Sequence, residues 1–96
     1  MQKTLQKGKT MNRSEVLKTA DKLINGDRAD QYGDAHKNFG AIAQMWSAYL
    51  SAQIEARDVA NMMALLKVCR MRHGPHDDSS VDGAAYLALA SELADY

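Results

Sequence analysis

The sequence predicts an all-α fold of about four helices, arranged as an antiparallel bundle in a single domain. Apolar residues recur at intervals of three and four along most of the chain. No segment combines strand-like alternation with enrichment in β-branched residues. The one proline, Pro75, separates two helical patterns. A chain of 96 residues with 46% hydrophobic and 25% charged side chains has the size and composition of one ordered domain.

The first helix is predicted from about residue 13 to residue 25. Asn12 and Glu15 have the spacing of a capping box, and Asn25-Gly26 ends the apolar periodicity that follows. Residues 1–12 carry three lysines, no acid and no apolar periodicity. We therefore expect a basic, flexible N-terminal tail at 1–12 before a single helical domain at 13–96.

A polar, glycine-containing loop precedes the second helix, which is predicted to run from Asp34 to Leu50. Its apolar stripe consists of Ala35, Phe39, Ile42, Ala43, Trp46, Tyr49 and Leu50. Tyr32, Asp34 and Asn38 lie at the N-terminus of this helix, where backbone N–H groups favour anions. These three residues are candidate ligand-binding residues, although Asp34 alone could serve as the helix cap.

The third helix contains Val59, Met62, Met63, Leu66 and Cys69 at helical spacing and ends at Gly74-Pro75. The fourth is predicted to start with a cap at Asp78 or Ser79 and to reach about Asp95. Cys69 is expected to be buried in the apolar stripe. The main buried side chains are expected to include Phe39, Ile42, Trp46, Leu66 and Leu89.

The apolar side chains of the second and third helices exceed what helices of three to five turns need for one small core. This surplus favours a homo-oligomer, and the alternative is that all of it packs within one chain. With a single cysteine, neither an internal disulfide nor a zinc site of paired CxxC motifs can form. No apolar run approaches the roughly 18 residues that span a membrane. We therefore expect a cytoplasmic protein.

The charge distribution argues against specific DNA binding by the helical domain. The formal net charge is zero, but four of the twelve basic residues lie in the first thirteen positions, which contain no acid. The rest of the chain is therefore mildly acidic, whereas binding to DNA phosphates requires clustered lysine and arginine.

Two basic and two acidic residues are expected to meet where the third and fourth helices pack. Lys67 and Arg70 share one face of the third helix, and an antiparallel neighbour would bring Asp78 or Asp82 beside them. The cluster is either a structural ion-pair network or a ligand site. In the second interpretation Ser79 and Tyr86 also contact the ligand, while His73, His76, Asp77 and Asp78 are better explained as a solvated turn than as a metal site.

Several strings in this sequence resemble a family of small phage and prophage proteins, over residues 14–93. They are RADQYGD at 28–34, NF at 38–39, WSAYL at 46–50, DVA at 58–60 and LLK at 65–67, followed by Arg70, Asp78-Ser79, Val81-Asp82 and Tyr86. More distantly, the last two helices look like those of MazG-type nucleoside triphosphate pyrophosphatases. That resemblance implies a MazG-like fold and Mg²⁺ held by carboxylates on facing helices. The ExxE pair of those enzymes is absent, which leaves Asp58 and Asp82 as candidate metal ligands.

We expect the protein to act in the cytoplasm of a bacterial host, and two hypotheses describe its function there. The first is a phage-encoded nucleotide-binding protein, acting as a Mg²⁺-dependent nucleoside triphosphate pyrophosphatase, with phosphates held by Lys67 and Arg70. The second is a non-enzymatic oligomer that acts as a sponge for a host nucleotide signal or inhibits a host defence protein. A purely structural or regulatory interaction module is a third, weaker interpretation.

Overall fold

The computed structural model describes residues 11–27 and 34–93, which form four α-helices and no β-strand. The helices are α1 (Arg13–Lys22), α2 (Ala35–Leu50), α3 (Ala56–Cys69) and α4 (Asp77–Leu93). The predicted all-α class and the four helices are confirmed. Residues 1–10, and with them most of the predicted tail, lie outside the described part of the chain.

The capping box predicted for α1 is present. The Glu15 backbone N–H donates to Asn12 Oδ1, and the Asn12 N–H donates to Glu15 Oε1, both at 2.8 Å. Each bond satisfies a backbone donor that the first helical turn leaves without a partner inside the helix. One turn of π-helix, Leu23–Asp27, continues α1 through the predicted end at Asn25-Gly26.

Two serines, Ser47 and Ser51, stabilise the chain reversal between α2 and α3. Ser51 ends α2 with a left-handed backbone, φ 53°, which is uncommon for a residue other than glycine. The Ser47 hydroxyl accepts from the Ile54 N–H at 2.8 Å and donates to the Ile54 carbonyl at 3.1 Å. These two hydrogen bonds satisfy the backbone of the connecting loop and hold its path back toward α3.

The cap of α4 is a histidine, so the predicted cap at Asp78 or Ser79 is wrong. His76 Nδ1 accepts the Ser79 backbone N–H at 3.2 Å, and the His76 carbonyl accepts the Ser80 N–H at 3.0 Å. An unprotonated imidazole nitrogen is an acceptor and can take the position that a serine or aspartate oxygen usually occupies. The turn before it contains Gly74, whose φ of 134° favours glycine.

The most extensive packing is between α3 and α4; α1 packs against α4, and α2 packs against α3 and makes a smaller contact with α4. Helices α3 and α4 are antiparallel, since Lys67 contacts Asp82 while Ala60 lies in one cluster with Leu89. The start of α1 lies beside the start of α4, because the Met11 N–H donates to Asp77 Oδ1 at 3.1 Å. The predicted antiparallel bundle is therefore not confirmed, and a MazG-like fold stays a prediction.

The buried side chains within the described residues are mostly small. They are Ala20, Ala35, Ala43, Val59, Ala60, Ala64, Val81, Ala85, Leu89, Ala90 and Leu93, with Ser79 as the buried polar residue. Leu89 is buried as predicted, but Phe39, Ile42 and Trp46 are half-buried, and Leu66 is 47% exposed. Cys69, expected in the core, is also exposed. The reason is that, within residues 11–27 and 34–93, no helix packs against these sides of α2 and α3.

Gly83 lies at the contact between α4 and α3 and offers a test of their separation. An alanine Cβ at this position would lie 3.7 Å from the Lys67 Cβ, an ordinary van der Waals distance. Gly83→Ala should therefore raise the free energy of unfolding by about 0.5–1 kcal/mol, because alanine costs less backbone entropy in a helix. Urea denaturation measures this change.

Gly40→Ala in α2 is the matched control, since a Cβ there would meet no atom within 4 Å. We expect it to stabilise by a similar amount. Stabilisation by Gly40→Ala together with destabilisation by Gly83→Ala would mean that α3 and α4 approach more closely than described.

Candidate functional site

An ion pair joins α3 to the first turns of α4. Lys67 Nζ lies 3.0 Å from Asp82 Oδ2, and the two side chains are 15% and 27% exposed. The sequence predicted this contact, because antiparallel packing of the two helices brings Lys67 beside Asp82. Because both side chains are largely shielded from water, their attraction is screened less than that of a surface pair.

A cleft of about 310 Å³ lies beside this ion pair, between α1, the end of α3 and the start of α4. Its polar lining consists of Arg70, His76, Asp78, Ser79, Asp82 and Thr19, and its apolar lining of Met11, Leu23 and Val81. A cavity of this size is at the lower end of the range of small-molecule sites. The cleft is thus lined by one guanidinium group, two carboxylates and several apolar side chains.

Among the described lysines and arginines, Arg70 is the one that lines this cleft and is available to a ligand. Lys67 is engaged by Asp82, whereas the Arg70 guanidinium forms no hydrogen bond or ion pair with any residue that the structure describes. Arg70 follows the last residue of α3 and is exposed. Its five N–H donors can therefore turn toward an oxyanion in the cleft.

Ser79 lies in the cleft wall but is only 1% exposed. Its hydroxyl is 2.9 Å from His76 Nδ1, the same nitrogen that accepts the Ser79 backbone N–H. Since that nitrogen accepts the backbone N–H, the hydroxyl acts as the second donor to it. The Ser79 side chain thus holds the helix cap in place rather than presenting a free hydroxyl to a ligand.

The two candidate metal ligands do not meet. Asp58 Oδ2 accepts the Glu55 N–H at 2.9 Å at the start of α3, and Asp58 lines a separate open depression. Asp82 contacts Lys67, which lies nine residues further along α3, about 13 Å at the helical rise per residue. Within residues 11–27 and 34–93, no group of three histidine, cysteine or acidic side chains could hold a metal ion. Asp58 is thus a capping residue, a role that its place three residues after Glu55 could have indicated.

Of the remaining predicted ligand residues, Asp34, Asn38 and Tyr86 do not line the cleft. Tyr32 lies outside the described residues. Asp34 and Asn38 are exposed, and their contact is the backbone bond of the first helical turn, Asn38 N–H to the Asp34 carbonyl at 3.0 Å. Asp34 forms no side-chain cap bond. Tyr86 is half-buried with its ring centroid 6.2 Å from that of Phe39, so it belongs to the contact between α4 and α2.

Sequence reasoning missed the contribution of α1 to the cleft. Met11 and Thr19 line it, and Met11 is held there by the hydrogen bond of its N–H to Asp77. No local sequence pattern predicts this contact, because the two residues are 66 positions apart. It also missed His76 as a cap, because histidine is not among the residue types that usually cap a helix N-terminus.

Comparison with known proteins assigns the family. The sequence profile of a protein family, the domain of unknown function DUF6378, matches residues 15–94. The chain belongs to the DUF6378 family. Two relatives are the Gene 55 proteins of Mycobacterium phage L5, 44% identical over 80 residues, and of Mycobacterium phage D29, 43% identical over 79 residues. The predicted phage context is thereby confirmed.

The alignments with the two phage proteins each cover 81% of this chain but only 51% and 52% of those proteins, so the chain spans about half of their length. No solved structure matches the chain. Among the described residues of this DUF6378 protein, no helix combines the length and apolar character needed to cross a membrane.

Proposed function

We propose that this DUF6378 protein binds a nucleotide or nucleotide-derived molecule in the cleft between α1, α3 and α4, and that it acts without catalysis in the cytoplasm of a bacterial host. The observation that carries the proposal is the combination of side chains around that one cleft. Arg70 can bind phosphate oxygens, Asp78 and Asp82 can accept hydrogen bonds from sugar hydroxyls, and Met11 and Leu23 offer an apolar wall for a base.

The separation of the two candidate metal ligands supports binding over hydrolysis. A Mg²⁺-dependent pyrophosphatase would need carboxylates on facing helices to converge on one ion. Asp58 accepts a backbone hydrogen bond at the start of α3, while Asp82 lies beside Lys67 near the other end of that helix. A metal-independent sponge needs only the cleft and its cation.

Titration with nucleotides tests the proposal. Nucleoside triphosphates and cyclic dinucleotides would be titrated into the purified protein by calorimetry, with and without EDTA. We expect one of these classes to bind with an affinity that EDTA leaves unchanged, and no product to form from a triphosphate. Arg70→Gln should weaken that binding about tenfold, the effect of losing one exposed charge-assisted hydrogen bond.

Arg72→Gln is the matched control. Arg72 is also an exposed arginine just beyond α3, but its guanidinium donates to the Cys69 carbonyl at 3.1 Å and it does not line the cleft. Affinity should survive this change. Binding that requires Mg²⁺, or that both arginine substitutions weaken equally, would contradict the proposed site, and failure of every nucleotide to bind would contradict the proposed function.

A further inference from the structure

The N-terminus of α4 depends on one ring nitrogen of His76. This nitrogen, Nδ1, accepts the Ser79 backbone N–H at 3.2 Å and lies 2.9 Å from the Ser79 hydroxyl, its second donor. Both hydrogen bonds require Nδ1 to be free of a proton, since a protonated ring nitrogen is a donor and not an acceptor. The neutral ring that satisfies them therefore carries its proton on Nε2.

The Ser79 N–H has no ready substitute for this acceptor. Ser79 is 1% exposed, so water cannot easily take the place of the imidazole, and a buried donor without a partner is costly. Serine, aspartate and asparagine, the usual caps, remain acceptors between pH 5 and pH 8. Histidine is the side chain whose charge ordinarily changes in that range. The cap of α4 therefore depends on the protonation state of His76.

The ionisable groups nearest to His76, along the chain or across the cleft, are of both signs. They are Asp77, Asp78 and Asp82 of α4, Arg70 at the end of α3 and His73 in the turn between the two helices. The residues of α1 that line the cleft are uncharged. The carboxylates favour a proton on the ring, whereas Arg70 and the positive end of the α4 dipole oppose it. Salt screens the exposed charges among them but leaves the hydrogen bonds to Nδ1 in place.

We infer that His76 is a proton-sensitive cap, which loosens the first turn of α4 when the pH falls below neutrality. A proton on Nδ1 removes the acceptor of the Ser79 N–H and adds a positive charge at the positive end of the helix dipole. The stability that the cap contributes is therefore present while the ring is neutral and is lost as the ring takes up a proton. The same turn contains Asp77, which accepts the Met11 N–H, so its loosening also weakens the contact between α1 and α4. This inference does not rest on the proposed ligand.

Urea denaturation of the wild type and of His76→Asn, from pH 8 to pH 5 in about 0.15 M salt, tests the inference. Asparagine also caps helices, and its side-chain acceptor does not titrate in this range. Over this interval we expect the unfolding equilibrium constant of the wild type to rise roughly five- to tenfold more than that of the variant, the effect of losing one cap. The carboxylates and the other histidines titrate in both proteins, so their contributions cancel in the comparison.

His73→Asn is the matched control, since His73 is exposed and forms no hydrogen bond or ion pair with any residue that the structure describes. We expect its stability to vary with pH as that of the wild type does. Parallel pH profiles of the wild type and His76→Asn would overturn the inference. A wild type that acid stabilises relative to His76→Asn would overturn it equally.

Nitrogen-15 NMR of the wild-type imidazole tests the same cap without any substitution. At pH 8 we expect the His76 proton on Nε2, and the Ser79 amide resonance should shift as the ring titrates toward pH 5. A ring that carries its proton on Nδ1 at pH 8, or a Ser79 amide that does not respond to the titration, would contradict the inference.

Discussion

Leu89→Ala should lower the free energy of unfolding by about 2–5 kcal/mol, the range observed when a buried leucine is truncated. Leu89 is 4% exposed and lies in the cluster that joins α3 and α4 with partly buried side chains of α2 and the π-helical turn. Most of its buried neighbours are alanines, whose short side chains cannot move to fill the space that a lost leucine leaves. Chemical denaturation followed by circular dichroism measures the change.

Leu87→Ala provides the control for this prediction. Leu87 is two residues away on the same helix and undergoes the same chemical change, but it is 56% exposed. Its truncation should alter stability by no more than about 0.5 kcal/mol, as is usual for surface positions. Equal losses at the two positions would mean that α4 is rotated relative to the orientation described.

Breaking the Lys67–Asp82 pair should cost about 2–3 kcal/mol in either single variant, Lys67→Met or Asp82→Asn. Removing one partner of a fully buried pair costs about 3–5 kcal/mol, and the partial exposure of both side chains reduces that figure. The Lys67→Met/Asp82→Asn double variant should lose less than the sum of the two single losses, because each single variant leaves one unpaired charge and the double variant leaves none. Denaturation without ligand measures all three.

Lys22→Met is the control for this double-mutant cycle, since Lys22 is exposed at the end of α1. We expect a change within about 0.5 kcal/mol. Strict additivity of the Lys67 and Asp82 losses would show that the two side chains do not interact in solution. It would leave the cleft without the fixed carboxylate that the proposed ligand contacts require.

The positions of some residues of the proposed site could be predicted from the sequence, and those of others could not. Lys67 and Asp82 could be paired from sequence, because an antiparallel hairpin of two helices leaves few places for two bases and two acids. The wall supplied by Met11 could not be predicted, since it depends on α1 starting beside α4 at a separation of 66 residues. The separation of Asp58 and Asp82 could not be predicted either. It arises because Asp58 lies at the start of α3, whereas Asp82 of α4 packs beside Lys67 near the end of α3.

The helical class, the approximate extent of each helix and the Asn12–Glu15 capping box could all be predicted from the sequence. These features depend on interactions within a few residues, so the local spacing of apolar and capping residues contains them. Which apolar side chains are buried could not be predicted in this way, because burial depends on how the helices pack. Leu66 and Leu89 both follow helical periodicity, yet one is 47% exposed and the other 4%. Periodicity fixes the face of a helix on which a residue lies, whereas burial depends on whether another helix packs against that face.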